Sequence, residues 1–407
     1  MKPAALDVFA AGELAGMLDR SSVEPDTFIF GYVEACPAAA AVSLTMPVVR
    51  DQYDSMGKLH PIFEMNLPEG LLRERLQRAF GKAIPNWDDL ALLGVVGRSQ
   101  IGRLRYAPAG APLEVVPGQD IQALLTYRGT EDLFSDLLER YAAYSGISGM
   151  QPKVLVRDAT DVELDRVTHK GATHIVKTFN PAEYFELAAN EFFCMQAARF
   201  SGITVPVLFL SDDRRLLISE RFDLAADGAY LGVEDFCVLN GMRSSGRYDA
   251  SYELIAKRIS QFVSPAFQRK ALEQFFLMLV LSCAVENGDA HLKNFAVIYS
   301  DPESDIRLAP AYDIVATTPY QPRDTLALSL GGVKQFPDRK ALVDFGRRAC
   351  GLQEARVVSL LDQVANGVTQ AVNAIKEYAK ERPDFATTAA HLESVFNRGM
   401  KRSVAKG

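Results

Sequence analysis

Asp289, His291, Lys293 and Asn294 fall within six residues of one another in ENGDAHLKN, Glu286 to Asn294. The stretch is framed by LMLVLSCAV and FAVIY, runs apolar enough to be core. A turn between two buried elements needs a glycine. An acid, an imidazole, an ammonium and a carboxamide there are costly unless each is used. Asp289 can accept a hydroxyl proton or orient the hydroxyl, and Asn294 can offer a carboxamide oxygen to a divalent cation. Asp313, in APAYDIVAT, adds the carboxylate that magnesium prefers. A cation held in this way would bridge phosphate oxygens and offset their charge during transfer. His291 can touch a phosphate or brace the loop, and Lys293 can neutralise a transferring group or sit solvated.

Three upstream features extend the pattern. The loop Ser145-Gly146-Ile147-Ser148-Gly149-Met150-Gln151 would let backbone N–H groups approach phosphate oxygens, its glycines removing the Cβ obstacle. Taken alone, it also reads as a tight turn between helix and strand. Lys177 alternates with apolar residues in HIVKTF, so it either faces solvent or turns inward and needs an anion. The anions on offer are a nucleotide phosphate and a carboxylate such as Glu191 in AANEFF. The spacing from Asp289 to Asn294 is that of the protein-kinase loop H-R-D-x-x-x-x-N. One Asp and one His are thin for zinc, and no G-x-S-x-G elbow supports a serine hydrolase. Phosphoryl transfer accounts for the most residues.

The elements that must carry these residues are legible in outline. LDVFAAGELAGML and TFIFGYV read as strands, and GLLRERLQRAFGKA as a helix. NWDDLALLGVVGRSQIGRLRYAP forms a second short unit. Tyr106 to Asp120, rich in Pro, Gly and Ala, reads as a linker. DIQALLTY and DLFSDLLERYAAY are helical, and KVLVRD and THIVKTF are strands. PAEYFELAANEFFCMQAARFSG is a helix with Pro181 near its start and Gly202 past its end. VPVLFLSDDRRLLISERFD is a hairpin. From about Leu224 the chain is mostly helical, FAVIY and IRLAPAYDIVAT excepted. The expected class is α/β, with a small N-terminal subdomain at 1–110, a phosphate-loop lobe at 120–223 and a helical lobe at 224–407.

Bulk properties restrict the alternatives. Hydrophobic content of 48% and charged content of 23% are ordinary for globular proteins, and 407 residues can build two or three cores. A net charge of -7 argues against broad electrostatic binding of nucleic acid or anionic membrane. The apolar run around Phe275 to Val285 is too short to span a bilayer. Asp7, Glu13 and Asp19 spoil a secretory signal. Cys36, Cys194, Cys237, Cys283 and Cys350 form no CxxC pair and read as reduced packing residues in a cytosolic protein.

Read in order, SGISGMQPK, THIVKTF, NEFFCMQAARFSGITVP, SERFD, NGDAHLKNFAV and APAYDI resemble the kinase core of the HipA family. PIFEMNLPEGLLRERL and DLALLGVVGRSQIGRLRY resemble that family's N-terminal subdomain. The family comprises bacterial serine/threonine kinases that act as toxins of type II toxin–antitoxin systems, so the resemblance implies a two-lobed kinase-like fold using ATP and Mg2+. It implies a phosphate loop at Ser148, Gly149, Met150, Gln151, Pro152 and Lys153. It further implies an ATP-anchoring Lys177, an adenine-binding hinge at Glu220, Arg221 and Phe222 with Asp223 beside it, and a catalytic Asp289. Further nucleotide and metal contacts fall on His291, Leu292, Lys293, Asn294, Tyr312 and Asp313. The implied substrate class is aminoacyl-tRNA synthetases, whose modification stalls translation. The implied partner is a small helix-turn-helix antitoxin, HipB-like, through which DNA is contacted in the bacterial cytoplasm.

Two departures stand out. The family's S-x-S phosphate-loop pattern is broken: Gly146 takes the place of the first serine, Ser148 holds the second, and Ser145 lies one residue early. Ser148, before Ser145, is therefore the expected site of inactivating autophosphorylation, because a dianion there would compete with ATP phosphates. Pro152 stiffens the same loop. Two alternatives are an aminoglycoside-type small-molecule kinase, whose H-G-D-x-x-x-x-N loop is close to NGDAHLKN, and an inactive pseudokinase serving as co-repressor. The intact set of Lys177, Asp289, Asn294 and Asp313 argues against the latter.

Overall fold

The computed structural model describes residues 5–49, 52–84, 87–113, 118–126, 133–149, 151–158, 172–179 and 183–405. They form two compact units. The first gathers residues 1–179, 208–244 and 297–306, and the second 180–207, 245–296 and 307–407.

The first unit begins with a five-stranded antiparallel sheet in the order Gln52–Met56, Thr27–Tyr32, Glu13–Arg20, Leu6–Ala10, Leu104–Pro108. Leu6, Val8 and Ala10 are buried while Asp7 and Phe9 are less so, the two-residue period of a strand covered on one face. Ala11 and Gly12 both have positive φ, as a tight hairpin turn with the right twist requires. Helix Gly70–Phe80 lays Leu72 and Leu76 on the core, and helix Asp89–Val96 is capped by the Asp88 carboxylate, which accepts from Ala91 N.

A second sheet in this unit runs Gly118–Gln119, Lys153–Asp158, His174–Thr178, Leu216–Glu220, Leu208–Leu210. Only its first pair is parallel. Val154, Leu155, Val156, Val176, Leu216 and Ile218 share one hydrophobic core with the first sheet.

The second unit is mainly helical. Helix Pro265–Ala284 is its centre: every residue from Phe275 to Val285 is buried, which explains the apolar run. Helix Glu354–Glu381 packs against it and against Leu187–Phe200, and Ala386–Ser403 closes the other side. Gly399 is where that last helix meets Ala284, since a Cβ there would collide with the Ala284 carbonyl. Among the described residues no helix is long and apolar enough to cross a membrane.

Four expectations need correction. Tyr106 and Ala107 are not linker but strand, and Tyr106 is buried with its ring edge-on to Phe63. The helix expected near Pro181 starts at Leu187, after Glu186 in a left-handed conformation; Pro181 itself lies outside the described residues. Only Arg307–Leu308 of IRLAPAYDIVAT is strand, because Pro310 has no N–H to pair and Asp313 is left-handed. Gly232–Asp235, expected to be helical, is a strand beside Ala296–Tyr299. Its single apolar residue gave no local strand signal.

Candidate active site

Residues expected to do chemistry fall in both units. In the second unit, Helix Pro265–Ala284 ends at Val285, and Glu286 turns the chain with φ of 54°. Asn287 Oδ1 accepts from Asp289 N (2.9 Å), and Gly288 N donates to Thr317 Oγ1 (2.9 Å). A Cβ at Gly288 would collide with the Asp324 carboxylate, so only glycine lets the two segments meet there. Asn294 Oδ1 accepts from His291 N (3.2 Å), closing the short 3-10 turn Leu292–Asn294. Tyr312 OH donates to Lys293 O (2.8 Å), joining the Asp313 segment to this loop. Asp313 itself has φ of 60°, a sparsely populated conformation for a side chain and one found at functional sites.

Asp289 Oδ1 accepts a hydrogen bond from Tyr248 OH at 2.7 Å. Half of its side chain (51%) remains open to solvent. Even so, partial desolvation pushes its carboxyl up to about 6; Asp313 and Asp324 act in the same direction, against the Tyr248 hydroxyl and Arg247. Such a carboxylate is ionised at neutral pH and more basic than a free one, which suits a proton acceptor. His291 Nε2 lies 4.0 Å from Asp289 Oδ1. Desolvation, with Arg247 and Lys293 nearby, takes its imidazole down to about 4, so at neutral pH it is uncharged and makes no ion pair. His291 is a brace for Tyr248, their rings edge-to-face at 5.0 Å.

Tyr248, Arg247 and Asp324 were not evident from the sequence. Because the Tyr248 hydrogen bond lowers the Asp289 value, Tyr248→Phe is expected to raise it. The acidic limb of the pH–activity profile should then move to higher pH, and a profile matching wild type would exclude the contact.

In the first unit, Ser148 Oγ donates to Glu69 Oε1 (2.7 Å), and Glu69 precedes the helix Gly70–Phe80. Gly149 has φ of 124°, and a side chain there would strike the Lys153 ammonium, which donates to Ser148 O (3.3 Å). Pro152 O accepts from Thr178 N (3.0 Å), and Gln151 is half-buried. Met150 lies outside the described residues. Ser145 is fully buried (0% exposed), its hydroxyl donating to Tyr141 O and accepting from Leu155 N.

Lys177 is buried, 8% exposed, so the solvent-facing alternative does not hold. Lys153 stands directly opposite it on the neighbouring antiparallel strand, also buried. Like charges at facing positions repel. Glu191 is buried on helix Leu187–Phe200 of the second unit.

At the expected hinge, Glu220 is exposed and Phe222 half-buried. The Arg221 side chain is committed elsewhere: its guanidinium donates to Asp223 Oδ1 (2.9 Å), to Asp223 Oδ2 (2.6 Å) and to Gln100 O (2.8 Å). Asp223 Oδ2 also accepts from Gly102 N (2.6 Å), and the Tyr230 ring stacks on Arg221. This pair ties the hinge segment to residues 100–102. Asp223→Ala would strand a buried guanidinium and is expected to cost about 3–5 kcal/mol, read from urea unfolding.

Residues 145–372 match the family model described as the HipA-like C-terminal domain, and residues 6–107 the one described as the HipA N-terminal domain. Two curated relatives come from Sinorhizobium fredii (strain NBRC 101917 / NGR234). "Putative kinase Y4dM" is 29% identical over 294 residues, 68% of this chain and 67% of that protein. "Putative kinase Y4mE" is 28% identical over 339 residues, 78% and 79% of the two chains. Among solved structures, a chain of the Shewanella oneidensis MR-1 toxin–antitoxin complex of HipA, HipB and operator DNA matches with a TM-score of 0.71. It is 19% identical, the match covering 98% of this chain and 97% of that one, which establishes the mixed α/β fold expected from the sequence.

Proposed function

Because the chain belongs to the HipA family, we infer that it is a serine/threonine-protein kinase that moves the γ-phosphoryl group of ATP onto a protein hydroxyl. The observation carrying this reading is Asp289, raised to about 6 and already holding a hydroxyl at 2.7 Å. Asp289 would take the acceptor proton. Lys177 and Lys153 would hold phosphate oxygens. At the hinge, Arg221 and Asp223 are spent on each other, so adenine recognition would fall to the main chain of Glu220 to Phe222. His291, Leu292 and Lys293 would keep the loop in shape around Asn294.

The residues present fit magnesium. Asp313 and Asn294 supply the hard oxygen donors it takes, and the mutual repulsion of Asp289, Asp313 and Asp324 is the excess charge a dication would relieve. Among the described residues no group of three or more His, Cys, Asp or Glu is placed to hold a metal ion by itself. When bound, magnesium would offset charge on the phosphates.

The acceptor class is an aminoacyl-tRNA synthetase, and the partner is a HipB-like antitoxin through which DNA is met in the cytoplasm. The division into 1–110, 120–223 and 224–407 is retained as functional parts. Inactivating autophosphorylation is assigned to Ser148 rather than Ser145, whose hydroxyl is enclosed.

The test is transfer of label from radiolabelled ATP with magnesium to a panel of synthetases. Label on a synthetase supports the proposal. Label on an aminoglycoside alone would replace it with small-molecule kinase activity, and no label on any acceptor would leave a co-repressor without catalysis.

A further inference from the structure

Beyond tuning Asp289, Tyr248 makes the hydrogen bond that the acceptor of a kinase must make. An attacking hydroxyl has to lie within hydrogen-bond reach of the base that takes its proton, and Tyr248 OH is 2.7 Å from Asp289 Oδ1. We propose that Tyr248 is a phosphoryl acceptor within the protein itself, its phenol occupying the position on Asp289 that an external alcohol would take. The inference rests on the phosphoryl-transfer reading and adds to it a modification site and an internal competitor for the acceptor.

The placement is built, not incidental. The Tyr248 ring is set edge-on to His291, and its segment is fastened to the loop by Leu292 N donating to Arg247 O (3.2 Å). Lys334 Nζ donates to Tyr248 O (3.3 Å) from another direction. Burial and the neighbouring Asp289 push the phenol up to about 12, so it is protonated at neutral pH and needs a base to react. Tyr248 is nevertheless 39% exposed, leaving room for a phosphate to form and turn outward. Neighbouring hydroxyls lack this freedom. Tyr252 is fully buried with its OH donating to Ala290 O (3.1 Å), and Ser251 Oγ caps a helix by accepting from Leu254 N.

In the step itself, Tyr248 Oη forms a bond to the γ-phosphorus of ATP while the bond from that phosphorus to the β,γ-bridging oxygen breaks. The electron pair leaves with ADP, and the phenolic proton passes to Asp289 Oδ1 and then to water. The product carries a dianion facing Asp289, Asp313 and Asp324. Repulsion drives it off the site, with Arg247 the adjacent cation able to receive it. Phosphorylation would therefore uncover Asp289 for an external acceptor.

The full chain, first dephosphorylated, is incubated with isotopically labelled ATP and magnesium and mapped by tandem mass spectrometry. Cleavage after Arg247 gives the peptide YDASYELIAK, whose fragment ions separate Tyr248 from Ser251 and Tyr252. Labelled phosphate on Tyr248 is expected, lowered about 10²-fold or more in Asp289→Asn, which is close to isosteric, and absent in Tyr248→Phe. Label on Ser148 or on an added protein, with Tyr248 unmodified, overturns the proposal and leaves the kinase reading intact. Label nowhere, with no release of ADP, overturns both. Equal Tyr248 labelling in wild type and Asp289→Asn also overturns it, since the hydrogen bond would then have no part in the transfer.

Discussion

Asp289→Asn is expected to lower phosphoryl transfer to any acceptor by about 10²- to 10⁴-fold, the range for losing a positioned general base. The carboxamide keeps the size of the carboxylate and can still accept from Tyr248 OH through Oδ1, so the loop should hold its shape. It cannot take a proton. The loss should therefore appear in kcat, with the KM for ATP and the melting temperature close to wild type. In wild type, transfer should decline as pH falls through about 6, because Asp289 is the active base only when ionised. Steady-state rates over pH, with wild type and variant compared at saturating ATP, check both points. A variant as fast as wild type would remove Asp289 from the chemistry.

The second large effect concerns stability. Glu286 opens the Asp289 loop and is almost fully buried, 1% exposed. Arg402 Nη1 donates to its Oε1 (2.9 Å), Arg398 Nε to the same oxygen (3.0 Å), Arg398 Nη2 and Thr318 Oγ1 to Oε2. Its main chain is also used: Glu286 O accepts from Thr317 N (3.1 Å), and Thr317 Oγ1 in turn accepts from Gly288 N. The last helix of the chain thus fixes the start of the loop and the segment after Asp313 together. Burial alone would raise the Glu286 carboxyl, but its hydrogen bonds to Arg398 and Thr318 and the Arg402 charge outweigh it and hold the group below the ordinary value.

Arg398→Met with Arg402→Met would leave that carboxylate buried without a counter-charge. A loss of about 3 kcal/mol at neutral pH is expected, the low end for a broken buried pair, since Arg398 is half exposed and its attraction is screened. The pH dependence identifies the source. In wild type the folded value is depressed, so the pair contributes stability above the unfolded value and loses it as pH falls. In the variant the folded value is raised, so the penalty exists above the unfolded value and fades once Glu286 is protonated. The urea-unfolding gap between the two proteins should shrink from pH 7 toward about pH 4, near the unfolded carboxyl value, and close only below the depressed wild-type value. A gap independent of pH would place the cost elsewhere.

How much of this was legible in the sequence varied with the range of the interaction. Alternation in LDVFA is a local signal, and it marked LDVFAAGELAGML as strand, although the turn at Ala11-Gly12 that divides it into two strands was not read. The apolar run before Glu286 marked a buried element, and its place in the mostly helical second half agrees with the central helix. The identity of Asp289, Asn294 and Asp313 as candidates came from residue type and spacing alone. What surrounds them did not. Tyr248 meets Asp289 across 41 residues, Ser148 meets Glu69 across 79, and Glu286 meets Arg402 across 116. Such contacts are set by how helices and loops pack, for which a single sequence carries no period. The side-chain partners of Arg221 and Asp223 were equally hidden: both residues, expected at a nucleotide hinge, turn their side chains to an internal pair with Gln100 and Gly102.

The five cysteines offer a practical consequence. Cys36, Cys194, Cys237, Cys283 and Cys350 are all buried and joined in no disulfide, distributed over both units. Burial raises the Cys36, Cys283 and Cys350 thiols, the latter two up to about 12, so in the folded chain they are both sheltered and weakly nucleophilic. A maleimide dye should then stain the native protein slowly, and the rate at each cysteine should follow the opening of its own surroundings. Site-resolved alkylation in rising urea would report which of the two units loosens first, with no probe engineered into the chain.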